Sequence, residues 1–171
     1  VDAEVLKNKG EHRILDFELT DQTGATITKA DTKGKIIVVD FFFTTCKTIC
    51  PIMTNQMARV QEEFIDDDRL ALLSHSVTPE IDTVGRLQEY AEIHDVDAKR
   101  WHLLTGPRPH INNLARRSYF ACLTDGDGDE YDLVHTENFV LVDTLGRIRG
   151  FYDGTNEEEV DKLIKDIKQL F

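Results

Sequence analysis

Short apolar runs alternate along the chain with segments whose apolar positions recur every three or four residues. That is the pattern of β-strands and amphipathic helices packed in layers, and the expected fold class is α/β. ILDFEL (residues 14–19) predicts a first strand, TDQTG turns the chain at Gly24, and ATIT predicts a return strand, so an N-terminal β-hairpin is expected. IIVVDFFF (36–43) is almost continuously apolar, which predicts a central strand buried on both faces. LALLSHSV (70–77) predicts a second buried strand, and RWHLLTG, YFACL, LVH with ENFVLVD, and RIRGFYD predict the others. Between them, Met53, Met57, Val60 and Phe64 share one helical face, with the methionines read as core. Val84, Leu87 and Ala91 mark a helix ending near His94, and Pro109 opens a short helix running to Arg117. Thr155 with Glu158 makes a capping-box pattern ahead of Val160, Leu163, Ile164, Ile167 and Phe171, a closing helix docked by one face.

Composition narrows the picture. With 171 residues, 40% of them hydrophobic, and neither repeat nor linker, one core and one domain over residues 1–171 are expected. Twenty basic against 32 acidic residues, formally -12, argues against a nucleic-acid partner, because no Lys/Arg cluster stands ready to neutralise phosphates. The acidic residues are spread as a solvated surface apart from DDD (66–68) and DGDGDEYD (125–132). No run approaches the roughly 18–20 apolar residues of a membrane-spanning helix. The opening at Val1 rather than Met suggests a processed or truncated chain that has lost a targeting or membrane-anchoring segment. Three cysteines are an odd number and too few for a disulfide scaffold.

The chemistry concentrates in TTCKTICP (44–51), which follows the central strand directly and sets Cys46 and Cys50 four apart ahead of Pro51. A disulfide, a redox pair, a metal site and two structural thiols are all written this way. A strand feeding straight into a helix leaves the intervening loop at the sheet edge where ligands of α/β domains gather. Pro51 disfavours helical geometry at the residue before it and suits a first helical turn, so Cys50 is expected at or beside the N-cap. Its sulfur would there face unpaired N–H groups and the positive end of the helix dipole, and its pKa is expected to fall. Thiolate serves metal binding and disulfide exchange alike.

VVDFFFTTCKTICPIMTNQM resembles the SCO/SenC family, thioredoxin-fold proteins that deliver copper to cytochrome c oxidase. The likeness extends through LDFELTDQTG, SVTPEIDT, WHLLTG, VHTENFVLVDTLGRIRGFYDG and the closing helix, in order and spacing, over nearly the whole chain. It implies a thioredoxin-like fold with a central mixed sheet flanked by helices, and copper ligands at Cys46, Cys50 and His135. Two thiolates suit Cu(I), and an imidazole completes a three-coordinate site that also serves Cu(II). The resemblance further implies one copper ion per chain, a metallochaperone rather than an enzyme, and delivery to the dinuclear copper centre of cytochrome c oxidase subunit II or to another cuproprotein. The implied location is the periplasmic side of the bacterial inner membrane, or the mitochondrial inner membrane facing the intermembrane space.

The alternative is a thiol-disulfide oxidoreductase in which Cys46 and Cys50 form a catalytic redox pair, with a thiol reductase as partner. Against it, C-x-x-x-C carries one residue more than the reductase motif, and His135 stands where reductases place a proline. A peroxidase would want a proline shortly before its attacking cysteine, and VVDFFFTTC has none. His12, His75, His94, His102 and His110 lack a second ligand at metal spacing and are read as structural or exposed, and Cys122 in YFACL as a small core residue. DGDGDEYDLVHT is not a calcium loop, since Glu130 replaces the required glycine and Thr136 the bidentate glutamate; it is read instead as a flexible acidic lobe beside His135. Thr48, Thr78 and Lys47 replace an acidic residue, an aspartate and a proline common in the family, which alters the surface a partner would meet.

Overall fold

The computed structural model describes residues 12–122 and 134–171. Strands β1 (Glu18–Thr20) and β2 (Thr26–Thr28) form the expected hairpin, antiparallel with Leu19 opposite Ile27. Its turn rests on Gly24 at φ 83, a conformation glycine adopts without strain, and on the Asp21 carboxylate, which accepts the N–H groups of Thr23 and Ala25 at 2.9 and 3.1 Å. β1 starts later than the apolar run predicts. Residues 14–17 are stitched to other elements instead, with Ile14 N–H donating to Gly146 O (2.9 Å) and Leu15 N–H to Ser118 Oγ (2.8 Å).

The main sheet has five strands in the order β5-β4-β3-β6-β7: β3 (Ile36–Phe42), β4 (Leu70–Ser76), β5 (Trp101–Leu104), β6 (Asn138–Val142) and β7 (Ile148–Asp153). Helices α1 (Ile49–Glu63) and α2 (Val84–Ile93) carry the crossovers that keep β3, β4 and β5 parallel, while β6 and β7 run antiparallel beside β3. β3 is central and wholly buried, as its apolar run predicts. Its side chains alternate: Ile37, Val39 and Phe41 enter one core, and Ile36, Val38 and Phe42 the other. The second core receives Met53, Met57, Val60 and Phe64 of α1 together with Val160, Leu163 and Ile167 of α4 (Glu157–Leu170). Full burial of each such side chain stabilises the fold by roughly 1.5–3 kcal/mol, which makes the methionines core residues as expected. The first core is closed by Ile111 of α3 (Arg108–Asn113) and by Leu114 and Ala115 of a π-helical turn, Leu114–Ser118, that continues it.

Three local expectations are corrected. The helix opened by Pro109 is α-helical only to Asn113 and then widens into the π turn. YFACL does not form a strand over its described residues: the N–H groups of Tyr119, Ala121 and Cys122 return to the carbonyls of Leu114 and Ala115, and Phe120 takes a left-handed φ of 52. The cap of α4 is Asn156, whose Oδ1 accepts Glu159 N–H at 3.1 Å, because Asp153 captures both the N–H and the hydroxyl of Thr155. Leu133, the acidic run at 125–132 and the lobe expected there lie outside the described residues.

Candidate functional site

β3 ends at Phe42 and α1 begins at Ile49, so Cys46 sits in the connecting loop and Cys50 at the second helical position, one place further in than expected. Both are thiols; Cys46 is half-buried and Cys50 buried. Thr48, the N-cap residue, makes no side-chain cap bond. The Cys46 sulfur takes that place, accepting Cys50 N–H at 3.4 Å with the Thr48 hydroxyl 3.8 Å away.

This arrangement reverses the expected polarity of the pair. Burial works against ionisation of Cys46, but the N–H groups of Cys50 and Thr48, the Cys50 thiol and the Thr48 hydroxyl outweigh it and bring the thiol down to about 7. Burial pushes the Cys50 thiol up to about 12, and the neighbouring Cys46 sulfur and the Asp40 carboxylate add to the shift. The expectation that Cys50 ionises readily is therefore overturned. Its sulfur is carried into the core with the face of α1 that bears Met53 and Met57, and the helix N–H groups serve Cys46 instead.

Two buried carboxylates lie near this loop, one tied to it directly, and neither was singled out from the sequence. Asp82, with a fully enclosed side chain, accepts bonds from Thr44 N–H (3.2 Å), the Thr44 hydroxyl, the Ser76 hydroxyl (2.7 Å) and the Thr78 hydroxyl (3.0 Å). Arg86 closes the set, its Nε donating to Thr44 Oγ1 at 2.9 Å. The strand-to-helix loop is thereby tied to the segment after β4 two residues ahead of Cys46. Asp40, in the middle of β3, accepts the Ser74 hydroxyl, which in turn accepts Trp101 Nε1–H at 2.9 Å. Burial pushes the Asp40 carboxyl up to about 7 against the opposing Ser74 bond. A lone aspartate inside IIVVDFFF was the available signal for it.

His135 follows from sheet topology. β6 pairs antiparallel to β3, Val140 opposite Val39, so the start of β6 lies at the edge where β3 ends. His135, three residues before β6, is exposed and shares with Cys46 and Cys50 the wall of one cavity of about 880 Å³. Phe41, Phe43, Phe120 and Phe151 make much of that wall apolar, and Cys122, half-buried and packed against the first core, also lines it. Among the described residues, no three metal-ligating side chains are gathered into a finished group. The two cysteines are together at the start of α1, and His135 stands apart from them on the wall of the same cavity.

The remaining histidines have other work. The His75 ring is fully buried and stacked on Phe41 with centroids 4.7 Å apart, and burial brings it down to about 4. His102 pairs with Asp21 at 3.0 Å, His12 meets Ser118 O at 2.8 Å, His94 packs on Tyr90, and His110 accepts Glu18 N–H at 3.4 Å. No described helix is long and apolar enough to cross a membrane.

Comparison with known proteins matches residues 7–171 to the SCO1/SenC sequence family. A SCO1 protein homolog of Bacillus subtilis is 28% identical over 165 residues, covering 95% of this chain and 85% of its own length. A SCO1/SenC family lipoprotein from Bacillus anthracis superposes with a TM-score of 0.81 at 28% identity, covering 93% of this chain and 95% of its own. BsSco, described with a disulfide switch and as a member of the Sco family of cytochrome c oxidase assembly proteins, gives 0.78 at 29% identity over 93% of each chain. Copper-bound ScoI of Bradyrhizobium japonicum gives 0.74 at 26%, over 93% of this chain and 99% of its own. The fold is accordingly thioredoxin-like, as the resemblance implied.

Proposed function

The chain belongs to the SCO1/SenC family, and from that premise we propose that it is a copper chaperone whose cargo, one ion per chain, is held by Cys46, Cys50 and His135. The observation that carries this reading is the shared cavity: a dithiol with one sulfur ionising near neutrality on one side, and an exposed imidazole at the adjoining strand entrance on the other. Two sulfurs and one nitrogen make a low-coordinate site suited to both Cu(I) and Cu(II), and an open cavity lets an acceptor exchange ligands with it. Copper bound to ScoI of B. japonicum supports the cargo, and the assembly role ascribed to BsSco supports cytochrome c oxidase as the destination; that the ion goes to the dinuclear centre of subunit II is part of the same proposal. The reading includes work at a membrane surface outside the cytoplasm, which the B. anthracis lipoprotein supports.

The test is titration of the reduced protein with Cu(I) and with Cu(II). One equivalent is expected to bind in each state, and His135→Ala is expected to abolish the Cu(II) thiolate charge-transfer band while leaving disulfide formation intact. A wild-type protein that takes up no stoichiometric copper would refute the assignment.

A second reading, thiol-disulfide exchange, is favoured by one observation, the inequality of the two thiols. Cys46 attacks as a thiolate near neutral pH and Cys50, held as a thiol, resolves the mixed disulfide once deprotonated. Under that reading, His135→Ala leaves the rate of reduction of a test disulfide unchanged.

A further inference from the structure

Basic residues form no run in the sequence, but the fold gathers six of them at the end of the main sheet where β3 begins, the end away from the dithiol. Lys29, Lys33 and Lys35 precede β3 and line a groove of about 440 Å³. Ile37 pairs with Val142, so the β6–β7 turn makes the groove's other wall, and it brings along Arg147 and Arg149, bonded to Asp143 at 3.1 and 3.3 Å. Arg13 adds its side chain beside Gly146 of the same turn. Three carboxylates belong to this group: Asp143 is buried against its two arginines, Asp31 accepts Thr28 N–H at 2.7 Å, and Asp16 stands 3.9 Å from Lys29. At the neighbouring start of β4, Asp66 adds a negative charge, while Asp67 and Asp68 are paired with Arg69 and Arg100. One face of a chain whose net charge is -12 is therefore positive. The tip of the turn is apolar. Leu145 is 61% exposed there, and Asp143 Oδ1 fixes the turn by accepting the N–H groups of Leu145 and Arg147, each at 2.9 Å.

We propose that this face docks on the anionic headgroups of a lipid bilayer, so that the chain sits with its basic end on the membrane and the dithiol cavity turned away from it. From the reading above the proposal takes only the location, a membrane surface. Screening decides whether the surplus of acidic residues elsewhere forbids such docking. At physiological ionic strength electrostatic interactions decay over about 8 Å. The seven residues of β3, at about 3.3 Å each, put roughly 20 Å between the groove and the dithiol loop. Carboxylates at the far end are thus screened from a surface that the basic group touches. Each Lys or Arg brought to an anionic surface strengthens binding about fivefold. Leu145, at the tip of the same turn, is placed to enter the headgroup layer, a contact that charge alone does not need. That pairing of cations with one projecting apolar side chain fits lipid better than an acidic protein.

Co-sedimentation of the full chain with vesicles tests this, using pure phosphatidylcholine and an equal mixture of phosphatidylcholine and phosphatidylglycerol, each at low and high salt. The variants are Lys33→Glu with Lys35→Glu, Leu145→Ser, and a control, Lys162→Glu with Lys165→Glu, which makes the same charge change at exposed positions of α4. Wild type is expected to bind the phosphatidylglycerol vesicles at low salt, to leave them at high salt and to ignore phosphatidylcholine. Reversing Lys33 and Lys35 is expected to weaken binding about tenfold or more. Leu145→Ser is expected to weaken it severalfold, and the control to change it little. The proposal is overturned if wild type ignores the anionic vesicles, which would leave the face to an acidic protein, or if it binds both kinds of vesicle equally. It is overturned too if the Lys33 and Lys35 variant binds like wild type, or if the control loses as much. Copper titration of the same proteins separates the two readings: each of those outcomes leaves copper binding standing, and loss of stoichiometric copper with lipid binding intact removes the copper reading alone.

Discussion

Replacing Asp40 by asparagine isolates the one carboxyl group that the central strand carries into the core. Its folded pKa of about 7 stands above the ordinary 3.8, so the unfolded chain releases this proton first and the folded protein holds it longer. The contribution to stability is complete below pH 3.8 and is lost as pH rises to about 7. A gap of about three units, at about 1.4 kcal/mol per unit, amounts to about 4 kcal/mol. His75 works the other way. Its folded pKa of about 4 lies below the ordinary 6.5, so its contribution is complete above 6.5 and is lost as pH falls to about 4, a change of about 3 kcal/mol. Over the window from 4 to 6.5 the two slopes nearly cancel, and the wild-type stability profile is expected to be almost flat there.

Asparagine keeps the oxygen that accepts the Ser74 hydroxyl and abolishes the titration. Asp40→Asn is therefore expected to expose the His75 slope, with stability rising by about 3 kcal/mol between roughly pH 4 and pH 6.5. Urea denaturation at half-unit pH intervals measures both proteins, and their difference removes every titration they share, Cys46 included. That difference is expected to shift by about 4 kcal/mol in favour of the variant between roughly pH 4 and pH 8. Parallel profiles for the two proteins would refute the argument, because they would mean that Asp40 ionises alike in the folded and unfolded chain.

Alkylation of the reduced protein is expected to modify Cys46 with a midpoint of about 7 and to spare Cys50 throughout the neutral range; mass spectrometry of the labelled peptide decides, and earlier labelling of Cys50 contradicts the assignment. Asp82→Ala leaves the Thr44 amide and the Ser76 and Thr78 hydroxyls without their shared acceptor, and is expected to lower stability by about 2–4 kcal/mol in denaturant, with Thr44→Val losing less. Gly154→Ala drives a methyl group into the ring of Phe139, which is fully buried, and is expected to lower stability by about 1–3 kcal/mol; an unchanged unfolding midpoint would show that the ring gives way freely.

What was legible in the sequence tracks how local each signal is. β3, α1 and the docked face of α4 are written in runs and periods that depend on a residue's immediate neighbours, and their spans agree with the structure to within a residue or two. YFACL misleads because an apolar run says only that a segment is covered. The geometry there is set by carbonyls left over from the π turn, a backbone demand that side-chain pattern does not carry. The cysteines mislead in a subtler way. Pro51 correctly marks the helix start, but helical phase turns Cys50 inward with Met53 and Met57, so desolvation overrides the dipole at one sulfur while the other, outside the helix, collects the N–H bond.

His135 is the opposite case, a distant residue whose relevance a local reading cannot supply. Eighty-five positions separate it from Cys50. Their place on one cavity depends on β6 being inserted antiparallel beside β3, so that one strand's beginning adjoins the other's end. The same insertion brings Thr136 and Asn138 onto Ala121, and with them Cys122 to the cavity. A single feature of sheet order thus places His135 and Cys122 on the wall of the cavity that the dithiol also lines. Disrupting the β3–β6 register is expected to weaken copper binding by any route that uses the cavity wall, while leaving the Cys46–Cys50 pair, which depends only on β3 and α1, able to form its disulfide.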